Sequence, residues 1–174
     1  MSKILVVYHS RTGYTRRVAL DLAGRLGADL DVIRIVQPMH GPVGYAMCAI
    51  EAFWGLAPAL RRQEKDPADY DLVVIGTPVW FWSLASPVRS WLEQHPPKRR
   101  VAFFCTMGGS GAGRVFATMA ELAGREPVAT LALLEKELDR PFEDKLDAFA
   151  KRLLVDAKQR PARTPAQRRA LHPA

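Results

Sequence analysis

The sequence predicts an α/β fold, a three-layer sandwich around a doubly wound, five-stranded parallel sheet. Three observations predict it. Five strand-type runs alternate with helical stretches, and strands joined by helical crossovers pair in parallel. Three of those runs, Ile4-Leu5-Val6-Val7, Leu72-Val73-Val74-Ile75 and Val101-Ala102-Phe103-Phe104, are almost continuously apolar, as strands covered on both faces need to be. The length of 174 residues, with 48% hydrophobic and 25% charged residues, suits one domain with a substantial core.

The elements follow in order. The first strand is Ile4 to Tyr8. Beyond the next turn, Val18, Leu22 and Leu26 recur every four residues and give a helix one apolar stripe, which Gly27 ends. The second strand is read over Asp31 to Val36. Turn residues in Met39 to Gly44 lead to a helical stretch, Tyr45 to Leu56, interrupted by Gly55 and Pro58; an irregular segment then runs to a turn at Asp66-Pro67-Ala68-Asp69. Phe53 and Trp54 in this stretch either seal the core or leave an apolar surface, and the second outcome favours a homodimer.

The third strand is Leu72 to Gly76. Ser86 then caps a helix with Pro87 in its first turn and Val88, Trp91 and Leu92 facing inward, until His95-Pro96-Pro97 stops it. The fourth strand is Val101 to Cys105, followed by a helix marked by Phe116, Met119 and Ala123 that ends near Gly124. The fifth strand is Val128 to Leu134. A last helix, from about Glu143 to Asp156, buries Leu146, Phe149, Ala150 and Leu153. There are no internal repeats.

The net charge of +7 raises the question of nucleic acid, and its distribution answers it. Residues 1 to 157 carry 20 Lys+Arg against 18 Asp+Glu, so Lys158, Arg160, Arg163, Arg168 and Arg169 supply most of the excess. With Pro161, Pro165 and Pro173 and little to bury, residues 158–174 read as a disordered, solvated tail rather than a nucleic-acid arm, since no aromatic residue accompanies the charge. The domain is therefore read as residues 1–157. No apolar run is long enough for a membrane span and no signal-peptide pattern opens the chain, so a cytoplasmic location is expected. Cys48 and Cys105 are too few for a disulfide scaffold and have no metal-ligand spacing with His9, His40, His95 or His172; both read as small buried hydrophobes and no metal site is expected.

Three loops at strand ends carry the functional signal. Ser10-Arg11-Thr12-Gly13-Tyr14-Thr15 leads from the first strand into a helix, where free N–H groups and the helix dipole favour an anion, and three hydroxyls surround the same point. No lysine follows as in a nucleoside-triphosphate loop, so a phosphate monoester fits better; the plainer reading is that Ser10 or Thr12 caps the helix. Thr77-Pro78-Val79-Trp80-Phe81-Trp82 places three aromatic rings after the third strand, either as a ligand wall or as cover for the sheet. Thr106-Met107-Gly108-Gly109-Ser110-Gly111-Ala112-Gly113 offers a backbone floor for a flat ligand edge. Arg114 prevents a dinucleotide fingerprint there, and Ala112 prevents a nucleophile elbow around Ser110. In an open parallel sheet such loops converge at the switch in strand order, and together they describe a site for a phosphorylated aromatic cofactor.

In these three segments the chain resembles the flavodoxin family. Ser10-x-Thr12-Gly13-x-Thr15 resembles its FMN phosphate loop, Gly76-Thr77-Pro78-Val79-Trp80 its first flavin-flanking loop, and Cys105 to Gly113 lies where its second one does, with the strand pattern extending the match over residues 3 to about 157. The resemblance implies strand order 2-1-3-4-5 and FMN as cofactor. It implies a phosphate held by Ser10, Thr12, Thr15 and the amides from Arg11 through Gly13 and Tyr14 to Thr15. Residues Thr77 to Trp82 and Thr106 to Gly111 would hold the isoalloxazine. Unlike the electron-carrier flavodoxins, the second flavin loop has no acid and no tyrosine, which leaves one flavin face open. An open face favours an NAD(P)H-dependent oxidoreductase acting on a quinone or similar acceptor. The alternatives are a single-electron carrier served by a reductase protein and passing electrons to a protein acceptor, and a binding module that has lost FMN. No side chain is singled out as a catalytic acid or base.

Overall fold

In a computed structural model of the protein, the described residues are 2–36, 58–138 and 142–159. Six strands, β1 (Ile4–Tyr8), β2 (Asp29–Val32), β3 (Leu72–Trp80), β4 (Ser83–Leu84), β5 (Arg100–Met107) and β6 (Thr130–Leu134), alternate with five helices. The helices are α1 (Tyr14–Leu26), α2 (Ser86–Gln94), α3 (Ala112–Ala123), the single turn α4 (Glu135–Leu138) and α5 (Glu143–Gln159). The main sheet has the order β2-β1-β3-β5-β6, all parallel, and β4 pairs antiparallel with the end of β3. Counted over the five parallel strands this is the order 2-1-3-4-5.

Alternation along the strands divides the core into two layers. Val6, Val74, Ala102 and Phe104 face α1 and α5, meeting Val18, Leu22, Leu146, Phe149 and Leu153. Leu5, Val7, Val73, Ile75, Val101 and Phe103 face α2 and α3, meeting Val88, Trp91, Leu92, Val115 and Met119. The central strands are buried on both sides, which is why their sequences show no alternation. Phe104 and Gly76 are register partners on β5 and β3, and the phenyl ring lies over the glycine so closely that a β-carbon there would sit 2.1 Å from Cζ. Glycine is needed at residue 76 for space.

The departures from the sequence reading have local causes. The expected Asp31–Val36 strand lies earlier, at Asp29–Val32, because β1 ends at Tyr8, the partner of Val32. The Ile33 N–H still reaches Tyr8 O at 2.7 Å, and then Ile35 bridges antiparallel to Leu60. Buried Asp31 holds that return segment, accepting from the amides of Val32, Glu64 and Lys65 at 2.8, 3.1 and 3.0 Å. β3 runs four residues past Gly76 because it enters a hairpin. The N-cap of α2 is Ala85, with Ser86 and Pro87 inside the first turn. On α3 the buried residues are Val115, Met119 and Ala123, and Phe116 is half-buried.

Asp66 begins a 3-10 turn at Pro67–Asp69 by accepting from Ala68 N–H at 2.9 Å, where the turn was expected. α5 buries Leu146, Phe149, Ala150 and Leu153 as read and continues to Gln159, past the boundary drawn at residue 157. The readings for Met39 to Gly44, Tyr45 to Leu56, Cys48, Phe53 and Trp54, and for the tail from residue 160, lie outside the described residues. Among the described residues no helix is long and apolar enough to cross a membrane.

Candidate functional site

The loops following β1, β3 and β5 meet at the carboxyl end of the sheet because these strands are adjacent in the order β1-β3-β5. The first loop delivers unpaired donors. Gly13, in the left-handed region at φ 99°, is the N-cap of α1 and supplies no side-chain cap; the first intrahelical bond runs from Arg17 N–H to Gly13 O at 2.9 Å. The amides of Tyr14, Thr15 and Arg16 precede that bond and have no acceptor within the helix. Neither Ser10 nor Thr12 is the cap. Ser10 Oγ accepts from Gly13 N–H at 3.1 Å, which closes the loop, and its own proton remains free to donate. Thr12 is exposed, and its hydroxyl has no hydrogen-bond partner among the described residues. Arg11 is exposed beside it, and Tyr14 is half-buried. Thr15 is buried, and its hydroxyl meets that of Thr106 at 2.8 Å, joining the first loop to the end of β5.

The second loop is a hairpin. Val79 pairs with Leu84 and Trp80 with Ser83, so Phe81 and Trp82 form a two-residue turn, with φ 47° and 59°. Positive φ at both positions is what a right-twisting two-residue hairpin requires, and Asn-Gly is the usual way to meet it. Here two large aromatic residues accept the strain. Phe81 is 49% and Trp82 62% exposed. The Trp82 indole N–H donates to Ser110 Oγ at 3.0 Å, linking the hairpin tip to the third loop. Trp80 is half-buried against His9, edge to face, with ring centroids 5.6 Å apart. Thr77 is fully buried and donates to Pro78 O at 2.9 Å, while Pro78 and Val79 are half-buried.

The third loop continues from Thr106 and Met107 at the end of β5. Gly108, Gly109 and Ser110 are exposed and Met107 is half-buried. Gly111, at φ 115°, is the N-cap of α3, and a β-carbon there would stand 3.0 Å from Trp82 Cα. Only glycine satisfies both the backbone angle and the close approach of the hairpin. Between the loops is a slot of about 350 Å³ lined by Val79, Phe81, Trp82, Met107, Gly108, Gly109 and Ser110.

His9 had no motif to mark it, since it follows the apolar run of β1. Its Nδ1–H donates to Ile33 O at 2.9 Å, which fixes the tautomer and leaves Nε2 unprotonated in the neutral ring. Burial pushes its pKa below the ordinary histidine value and Arg11 adds to the effect, against the opposing hydrogen bond to Ile33. Cys105 is buried and its thiol is pushed up to about 12 by burial, which disfavours the reactive thiolate. Among the described residues no group of three or more His, Cys, Asp or Glu side chains is arranged to hold a metal ion.

Comparison with known proteins agrees with this architecture. No family model matches the chain. A NAD(P)H dehydrogenase (quinone) of Cupriavidus metallidurans is 32% identical over 97 residues, 54% of this chain and 47% of that protein. The chain spans about half the length of the curated relatives it matches. Among solved structures, a flavoprotein of Lactobacillus acidophilus in complex with FMN superposes with a TM-score of 0.68 at 23% identity, covering 80% of this chain and 97% of that one. The two-electron reduced flavodoxin of Megasphaera elsdenii superposes with a TM-score of 0.55 at 20% identity, covering 86% and 99%. By strand order, layer arrangement and these superpositions, the chain is a flavodoxin-like α/β protein.

Proposed function

We propose that the chain binds FMN and acts as a NAD(P)H-dependent oxidoreductase on a quinone or similar acceptor. The observation that carries this reading is the junction of an anion-ready helix start with an aromatic and glycine-lined slot. The amides of Tyr14 to Arg16 and the hydroxyls of Ser10 and Thr12 suit a phosphate, and the slot between Phe81-Trp82 and Gly108-Gly109 suits a flat ring. Thr15 and Thr106 tie these two regions together from below.

The donor set therefore fits FMN. When bound, FMN supplies hydride acceptance and donation. The protein's part would be to bind and orient it: the α1 terminus would hold the phosphate, and the hairpin tip and the backbone of the third loop would hold the ring. The lack of side chains at Gly108 and Gly109 favours an enzyme over a carrier, because it leaves room beside these residues for a second ring to stack. The name of the relatives, NAD(P)H dehydrogenase (quinone), points the same way.

The test is titration of apoprotein with FMN and riboflavin, followed by anaerobic addition of NADPH. FMN should bind more tightly than riboflavin, and Thr12→Ala should lose ~1.5–3 kcal/mol, or roughly ten- to a hundredfold, because the acceptor is charged. Equal affinity for FMN and riboflavin overturns the phosphate assignment. Rapid reduction by NADPH alone supports the enzyme. Reduction only with an added reductase protein, with a stable semiquinone, assigns a carrier, and a protein that takes up no flavin is a binding module.

A further inference from the structure

His9 stands where the first loop leaves the sheet, and contacts from three directions fix it. Its backbone N–H donates to Gly76 O on β3 at 3.1 Å, its Nδ1–H donates to Ile33 O just beyond β2 at 2.9 Å, and its ring meets Trp80 edge to face with centroids 5.6 Å apart. It continues the alternation of Leu5 and Val7 along β1, so its side chain stands in the layer against which Ile33 and Trp80 pack. A leucine or valine there would extend the apolar layer without supplying the N–H that fixes the ring's angle. Burial disfavours the imidazolium and Arg11 adds to the effect, so the neutral ring carries its proton on Nδ1, where the Ile33 carbonyl needs it.

The hairpin needs such a brace. β4 is only two residues long, and the turn it closes has positive φ at both Phe81 and Trp82. Backbone in a sparsely populated region persists where its surroundings over-determine it. On the α3 side the tip is held by Gly111, whose missing β-carbon lets Trp82 Cα approach, and by the exposed Trp82–Ser110 hydrogen bond. On the β1 side His9 acts on Trp80, the residue immediately before the turn. Phe81 and Trp82 line the slot, and neither His9 nor Trp80 is among the described residues that do. The effect of His9 on the slot therefore runs through the hairpin.

We propose that His9 is a positioning residue of the slot: held at a set angle by the Ile33 carbonyl, its imidazole seats Trp80 and so sets where Phe81 and Trp82 stand beside a bound flavin ring. Its effect on a ligand rests on the proposed function, which places a flavin in the slot. Its bracing of the hairpin does not.

The experiment uses the full chain as wild type, as His9→Asn, which keeps an N–H donor without the ring, and as His9→Phe, which keeps a ring without the donor. In the apoprotein, tryptophan emission is followed against pH, since an imidazolium quenches indole more strongly than a neutral imidazole. His95 stacks on Trp91 and gives a step of its own, so the His9 step is the part lost in Trp80→Phe. That step should lie below the ordinary histidine range and be absent from both His9 variants. Chymotrypsin cleavage of native apoprotein after Phe81 or Trp82 should be roughly two- to tenfold faster in both variants, the scale of one aromatic contact or one hydrogen bond. With FMN bound, both variants should change flavin emission and midpoint potential. They should weaken FMN and riboflavin by the same factor, again roughly two- to tenfold, because the disturbed contact lies at the ring and not at the phosphate.

A loss of affinity confined to FMN puts the role of His9 in the phosphate loop and overturns the assignment, as do unchanged emission, potential and cleavage. If the wild type takes up neither flavin, the proposed function fails and the apoprotein decides. Faster cleavage at the tip together with a Trp80-dependent step then supports His9 as the brace of the hairpin, and unchanged cleavage overturns it.

Discussion

Replacing Phe81-Trp82 by Asn-Gly should stabilise the protein. At φ 47° and 59°, both residues carry a β-carbon in the left-handed region, which costs an L residue roughly 1–2 kcal/mol each. Asn-Gly meets the same two-residue hairpin with little strain. The exchange has two opposing terms. The added glycine gives the unfolded chain more freedom, worth roughly 0.5–1 kcal/mol. Loss of the exposed Trp82–Ser110 hydrogen bond removes at most about 0.5–1.5 kcal/mol. Phe81 is 49% and Trp82 62% exposed, so the rings also bury surface whose loss opposes the gain. Before that burial is counted the balance is a gain of about 1 kcal/mol, which for a chain of this size raises Tm by roughly 2–4 °C, and the melts weigh the two against each other. Thermal melts of the apoprotein by circular dichroism, with single replacements alongside, measure it. A Tm unchanged or lowered refutes the reasoning and shows that the rings contribute more by packing than their backbone costs. If the hairpin tip flanks the flavin, the more stable variant should bind FMN more weakly.

Other perturbations test the same structure. Gly76→Ala places a β-carbon against the fully buried Phe104 ring and should destabilise by about 1–3 kcal/mol. Phe104→Leu should recover part of that loss in a double variant, and strict additivity in urea melts rules out the contact. Because the folded state lowers the His9 pKa, the unfolded chain binds more protons below about pH 6.5, so stability should be fullest above that value and fall as the pH drops through it. His9→Gln should flatten the urea midpoint between pH 5.5 and 7.5, and an unchanged slope assigns the dependence to other groups. In a Cys48→Ser background, Cys105 should resist thiol reagents at pH 8 until urea unfolds the chain, and stoichiometric labelling of the folded protein contradicts the raised thiol pKa of about 12.

The parallel sheet was legible because its central strands are buried on both faces, which leaves unbroken runs such as Leu72 to Ile75. The loops were legible because a turn between such a strand and a helix exposes its chemistry in consecutive residues. Ser10 to Thr15 is one such turn. What escaped depended on contacts between distant residues. The β3–β4 hairpin was invisible because its turn is Phe-Trp, where propensity looks for Asn-Gly. The earlier placement of β2 follows from where β1 stops, which the apolar residues Val32, Ile33 and Ile35 do not encode. His9 joins the site through the Ile33 carbonyl and the Trp80 ring, neither near it in sequence.

The buried contact between the hydroxyls of Thr15 and Thr106 gives the two ends of the candidate site a direct physical link through which binding at one end should be felt at the other. A ligand that orders either loop lowers the entropy still to be lost by the other, and the resulting coupling free energy is the same from whichever end it is measured. Fragments that occupy one end alone therefore forfeit part of the binding energy available to a molecule spanning both.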